Sequence, residues 1–277
     1  FIDWFYGSDN WPAFVGSSMA TLFLGSILFL TNKGSATEHL ELRQAFLLTN
    51  SAWISIALFG SLPFLLSDID MSFIDAFFES TSGITTTGAT VIENLEEKSH
   101  GILIWRALLQ WLGGVGIIVM ALAVLPMLSI GGMQLFKTES YETPDKVVPK
   151  AASFAAGISI VYITLTIIWA FMLWGAGMSI FDSIAHAMTT LATGGYSTKS
   201  ESLAAFNSST IEIIIIFGML VGSLPFVHYL TLSKNGLKNL IKDDQVKLFL
   251  TMVLFVVLII SLYLSFNNMP YLSLIHI

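Results

Sequence analysis

Two stretches decide the fold: Ile84-Thr85-Thr86-Thr87-Gly88-Ala89-Thr90 and Leu191-Ala192-Thr193-Gly194-Gly195-Tyr196-Ser197. Each follows an apolar, helix-like segment, Ser72–Gly83 of 12 residues and Ser179–Leu191 of 13. At 1.5 Å per residue these reach about 18–20 Å, short of the ~30 Å hydrocarbon core of a bilayer. Laid over itself at a shift of 107 residues, the chain places Met71-Ser72 on Met178-Ser179, Asp75 on Asp182 and Ile84 on Leu191. The same shift places Thr86 on Thr193, Gly88 on Gly195 and Thr90 on Ser197. A long apolar stretch precedes and follows each copy. The unit is span, short helix, Thr/Gly loop, span, repeated in one orientation, and repeats of this kind build many transport folds.

Composition puts this repeat in a membrane. Of 277 residues, 55% are apolar and 11% charged, with a mean hydropathy of +0.77, whereas a soluble domain carries roughly 25% charged residues. Six stretches are long enough to span: 13–30, 44–66, 101–128, 152–175, 210–232 and 246–266. Pro63, Pro126 and Pro225 lie near their ends, where a helix can stop or kink. With the loop after the first span in the cytoplasm, that side holds Lys33, Arg43, Lys137, Lys146, Lys150, Lys234, Lys238, Lys242 and Lys247. The outer side holds only Lys98, Arg106 and Lys199, a positive-inside pattern. The expectation is an all-α, multi-pass membrane protein with six transmembrane helices and two re-entrant short helices. Its parts are an N-terminal region 1–43, a first unit 44–128, a connector 129–151, a second unit 152–232 and the start of a third, 233–277.

Other classes fall away. A net charge of −7 disfavours nucleic acid as partner, and the absence of cysteine excludes thiolate chemistry. No HExxH, GxSxG or close carboxylate pair within a span offers a catalytic constellation, so neither an enzyme nor a cofactor is expected.

Ser72 with Asp75 and Ser179 with Asp182 fit the capping box, with each carboxylate at the positive end of a helix dipole. Either following loop alone is compatible with an ordinary surface turn. After a short apolar helix, and twice, it reads as a pore loop: non-helical backbone at membrane depth is tolerated where it is buried or lines a cavity. There its carbonyls replace a cation's water shell, and glycine permits the angles that aim them. Asp68, Asp70, Asp75, Glu79, Glu93, Glu96 and Glu97 share one outer segment, either as solvated charge or as a cation-concentrating vestibule. Arg106 and Gln110 share a helix face; the arginine either snorkels to the interface or braces the nearby loop through Glu79 or loop carbonyls. Glu79 and His186 align in the repeat and are expected to support the loops by hydrogen bonding. Gly113, Gly114, Gly116 and the Gly218-x-x-x-Gly222 pattern suit close helix packing. Trp53, Trp105, Trp111, Trp169 and Trp174 suit interfacial belts or lipid-facing surface. The polar segment Met133–Lys150 suits a cytoplasmic connector and docking surface.

The run Phe77-Phe78-Glu79-Ser80-Thr81-Ser82-Gly83 continuing to Thr90 resembles the bacterial Trk/Ktr potassium-uptake family, most closely its TrkH-type membrane subunit. So do Trp105-Arg106-Ala107-Leu108-Leu109-Gln110-Trp111-Leu112-Gly113-Gly114-Val115-Gly116, Pro126-Met127-Leu128 leading to Gly131-Gly132-Met133-Gln134, and His186-Ala187-Met188 through Ser197-Thr198. The resemblance covers roughly 13–266. It implies four span–loop–span units around one potassium-channel-like pore, each lending a filter segment with a single characteristic glycine. Gly88 and Gly195 match those glycines, and Thr86, Thr87, Thr193 and Gly194 would supply adjacent carbonyls to potassium. It also implies a cytoplasmic nucleotide-binding regulatory subunit, a homodimer and the cell inner membrane. Two of four loops fall within the sequence, and a third unit begins at Gln245–Phe266, so about half of the fold is expected. Sodium-coupled or sodium-permeable transport is the family alternative, and glycine in place of serine favours potassium. An alternating-access carrier is disfavoured because these repeats are parallel.

Overall fold

The computed structural model describes residues 1–34, 42–128, 147–226, 228–230 and 243–266. Among the described residues the chain is all helical: α1 Ile2–Phe5, α2 Trp11–Thr31, α3 Leu42–Gly60, α4 Leu62–Leu66 and α5 Phe73–Ile84. There follow α6 His100–Leu128, α7 Val147–Gly175, α8 Ile180–Leu191, α9 Ser209–Ser223 and α10 Asp244–Phe266. Four segments are long and apolar enough to cross a membrane: Trp11–Thr31, Phe46–Leu66, Ala155–Gly175 and Asp244–Tyr263. The expected connector falls mostly outside the described residues, as do Lys137, Lys146, Lys234, Lys238 and Lys242 of the cytoplasmic basic set.

Proline chemistry redraws two expected spans. Stretch 44–66 is α3 followed by α4, with Pro63 in the first turn of α4. Phe64 N turns to Ser61 O at 3.1 Å, and the freed Gly60 carbonyl accepts from Trp105 Nε1 at 2.9 Å. Stretch 210–232 stops at Ser223, because Leu224 precedes Pro225 and takes an extended ψ of 149°. Tyr229 Oη then donates to the Val221 carbonyl at 2.8 Å.

Two apolar cores result, one per repeat. Phe64, Ala76, Ile92, Ile102 and Leu109 pack α4 and α5 against α6. Ile158, Tyr162, Leu173, Leu191, Ile211 and Ile215 pack α7, α8 and α9. Between them Ala107 meets Ala185 and Met188, three small or pliable side chains that let α6 and α8 approach closely. The outer faces stay apolar: Leu22, Phe23 and Phe29 of α2 and Leu254, Phe255 and Tyr263 of α10 are all more than half exposed, as suits lipid.

The glycines sit where backbone is close. A Cβ on Gly113 of α6 would run into the Ile84 carbonyl, and one on Gly222 of α9 would approach the Leu191 carbonyl to 2.8 Å. Each outgoing helix therefore seats a glycine on the last residue of the preceding short helix. The tryptophans are less peripheral than expected. Trp111 Nε1 donates to Thr166 Oγ1 at 3.0 Å and Trp169 Nε1 to Ile214 O at 3.0 Å, so with Trp105 they tie helices together. Trp174 is the outward one, 52% exposed.

Candidate functional site: two interlocked loops

Both short helices begin the same way. Ser72 Oγ accepts from Asp75 N at 3.2 Å and donates to the Asp75 carboxylate at 2.6 Å. Ser179 Oγ accepts from Asp182 N at 3.0 Å and donates to its carboxylate at 2.7 Å. They also end the same way. Thr85, Thr86 and Thr87 N–H donate back to Thr81, Gly83 and Ser82 carbonyls, and Ala192, Thr193 and Gly194 to Met188, Thr190 and Thr189. Loop N–H groups are thereby turned toward the helix. Beyond that turn φ is positive at Thr86 (54°) and Gly88 (81°), and at Thr193 (53°) and Gly195 (81°), with the intervening residue not so. Such alternation lets successive N–H groups turn to a common side.

The carbonyls of Thr86, Thr87, Gly88, Thr193 and Gly195 meet no hydrogen-bond donor among the described residues. Gly194 differs. Its carbonyl accepts from Gln110 Nε2 at 2.9 Å, which holds the loop to α6. A Cβ on Gly88 would collide with that same Gly194 oxygen, so the two loops touch.

Behind them lies a buried polar cluster. Arg106 is 1% exposed, which overturns the snorkelling alternative; its Nε donates to Glu79 Oε1 at 2.7 Å and its Nη1 to Ser197 O at 2.9 Å. Its guanidinium carbon lies 4.0 Å from the Tyr196 ring centroid, a cation–π contact. Glu79, fully buried, also accepts from Thr90 Oγ1 at 2.9 Å and Val91 N at 3.0 Å. Tyr196 Oη reaches back to the Glu79 and Ala89 carbonyls at 2.9 and 3.2 Å. In the second unit His186 Nδ1 lies 2.8 Å from Asp182 O and its Nε2 3.0 Å from Ser197 Oγ. Glu79 with Thr90 and His186 with Ser197 are thus one contact repeated 107 residues apart.

The outer acidic set divides. Glu79 is committed to the cluster, Asp75 to its cap, and Asp68 accepts from Asn10 Nδ2 at 2.5 Å. Glu93, Glu96 and Glu97 are exposed. Glu96 accepts from Ser200 Oγ at 2.6 Å and Ser200 N at 2.7 Å, stitching the two outer segments. These hydrogen bonds, the side chain's foremost, hold its carboxyl below the ordinary 4.5.

Sequence reading named Gln110 only as sharing a face with Arg106, and it passed over Tyr196 and Asp3. Asp3 is fully buried and accepts from Gly101 N at 2.5 Å at the start of α6. A polar side chain within an apolar span was the available signal for Gln110; nothing local marks the other two.

These features define a class: a helical membrane protein of tandem helix–loop units whose loops are interlocked by buried polar groups. A family model described as TrkH, cation transport protein, matches residues 11–277. The chain belongs to this family, a transport family and not an enzyme family. It is 40% identical over 260 residues to the Trk system potassium uptake protein TrkH of Salmonella typhimurium, covering 92% of this chain and 54% of the relative. It is 33% identical over 279 residues to TrkG of Escherichia coli K12, also a Trk system potassium uptake protein, covering 94% and 57%. The crystal structure of the potassium transporter TrkH from Vibrio parahaemolyticus superposes with a TM-score of 0.88 at 34% identity, over 99% of this chain and 57% of that one. The chain spans about half the length of the curated relatives it matches.

Proposed function

We propose that this chain supplies two of the four pore-loop units of a potassium-uptake protein of the inner membrane. In this reading α5 and α8 are re-entrant pore helices between spanning helices, and the open carbonyls of Thr86, Thr87, Gly88, Thr193 and Gly195 replace part of potassium's water shell. Gly194 keeps its place in the filter as the residue that anchors the second loop. Glu79, Arg106 and His186 hold the loops from behind, which spares the ion site the cost of ordering flexible backbone at each binding event. The observation that carries the reading is the repeated pair of positive φ values over two touching loops, whose carbonyls at Thr86, Thr87, Gly88, Thr193 and Gly195 meet no donor among the described residues. Membrane potential would drive entry, at about 2.3 kcal/mol per charge per 100 mV. The complete protein would form a homodimer and dock a cytoplasmic nucleotide-binding regulatory subunit, as the family resemblance implies. Potassium is favoured over sodium by analogy with the family, since both loops carry glycine and not serine at Gly88 and Gly195.

The test uses the full-length gene in bacteria lacking potassium uptake. Growth is rescued at low potassium, and Gly88→Ser lowers potassium-over-sodium discrimination. Failure of rescue with the protein present in the membrane refutes the reading, as does unchanged discrimination in Gly88→Ser.

A further inference from the structure

Beside the contact between the two loops lies a buried side chain that holds the second of them. Gln110, on the first unit's outgoing helix α6, has no exposed surface. Its carboxamide grips the second unit's loop on both sides of Gly195. Nε2 donates to Gly194 O at 2.9 Å, and Oε1 accepts from Tyr196 N at 3.0 Å. The fit leaves no slack, since a Cβ on Gly194 would overlap the carboxamide itself. On the other side, a Cβ on Gly88 would stand 3.7 Å from Gln110 Nε2 and collide with Gly194 O. The amide therefore clamps the backbone around Gly195 and holds the Gly194 carbonyl against which Gly88 rests.

We propose that Gln110 is a specificity-determining positioning residue: it sets how far Gly195 and its carbonyl stand from Gly88, across the boundary between adjacent units. This rests on the ion-pathway reading above. The chemistry suits the task, because a buried amide with both ends satisfied fixes two backbone groups at once, and either end left unpaired is costly.

The matching positions of the second outgoing helix carry different chemistry. Gly113 and Gly222 seat on equivalent carbonyls, Ile84 and Leu191. Gln110 stands three residues before Gly113; three before Gly222 stands Met219, apolar and 53% exposed. Seven before each glycine, Arg106 is matched by Ile215. At these positions the second outgoing helix carries neither amide nor guanidinium.

The experiment measures potassium and sodium uptake by the full-length protein at matched membrane abundance, giving half-saturation and maximal rate for each ion. Gln110→Leu removes both hydrogen bonds; Gln110→Glu keeps an acceptor for Tyr196 N and loses the donor to Gly194 O. The ratio of sodium to potassium half-saturation falls about tenfold in Gln110→Leu, the scale of a lost buried hydrogen bond. It falls in Gln110→Glu as well, and in both variants the maximal rates change less than the ratio. Leu112→Ala, a short step along α6 on its exposed side, keeps the wild-type ratio. If Gln110→Leu does not reach the membrane, Gln110→Glu decides. Wild-type selectivity with equal loss of rate for both ions overturns the proposal and leaves potassium uptake standing. A wild-type protein that takes up no potassium overturns the ion-pathway reading itself.

Discussion

Removing the arginine from the buried cluster is the most demanding trial of this architecture. Arg106→Met takes away a guanidinium that is 1% exposed and leaves the Glu79 carboxylate at 0% exposure. Two donors remain on that carboxylate, Thr90 Oγ1 and Val91 N, but no counter-charge. Stranding one member of a buried pair costs about 3–5 kcal/mol, which in a full-length protein of roughly twice this length lowers the unfolding midpoint by several degrees. Glu79→Gln alone is also destabilising, since an amide NH₂ then faces the Arg106 Nε. The two changes together remove the charge and the clash: the new amide oxygen at position 79 accepts from Val91 N, the new NH₂ donates to the Thr90 hydroxyl, and the methionine side chain fills the space. The double variant should therefore recover at least about 2 kcal/mol relative to Arg106→Met. Thermal unfolding of the purified full-length protein, followed as a double-mutant cycle, reads this directly. If the single losses add, or the double variant melts where Arg106→Met melts, the pair is not coupled and the reasoning fails.

Two further outcomes follow from contacts described above. Gly113→Ala drives a Cβ into the Ile84 carbonyl and should cost about 1–3 kcal/mol of overpacking. Gly25→Ala, which faces open space in mid-helix, should be neutral or stabilising by up to about 1 kcal/mol; the same melting assay ranks them. The Glu96–Ser200 link should be acid-sensitive. Because the folded carboxyl titrates below its ordinary 4.5, its contribution is present above that value and disappears as pH falls through the depressed one. Amide exchange at Ser200, corrected for intrinsic acid dependence, should show that loss, and Ser200→Ala, which removes the hydroxyl bond and keeps the backbone one, should shrink the step.

What could be read from the sequence was what depends on near neighbours or on repetition. A Ser-x-x-Asp start needs only four residues, so the beginnings of α5 and α8 were legible. Hydropathy marked each long helix, yet could not mark where Leu224 must leave the helix for Pro225, because leucine is equally apolar extended or coiled. The long-range contacts were invisible. Tyr196 Oη meets the Glu79 carbonyl 117 residues away, and Asp3 meets Gly101 across 98. For Arg106 the residues left two environments open, and burial, which depends on how α5, α6 and the second loop converge, chose between them. The Gly194 contact was invisible for a related reason: its donor, Gln110, lies 84 residues upstream.

That separation has a consequence for how the chain is made. Glu79 and Arg106 are only 27 residues apart, so a nascent chain can neutralise the carboxylate soon after α6 leaves the ribosome. Gln110 finds its partners only in the second loop, 84 and 86 residues on. The first unit thus satisfies its buried charge from within, while its buried amide is satisfied only once the second unit has packed against it.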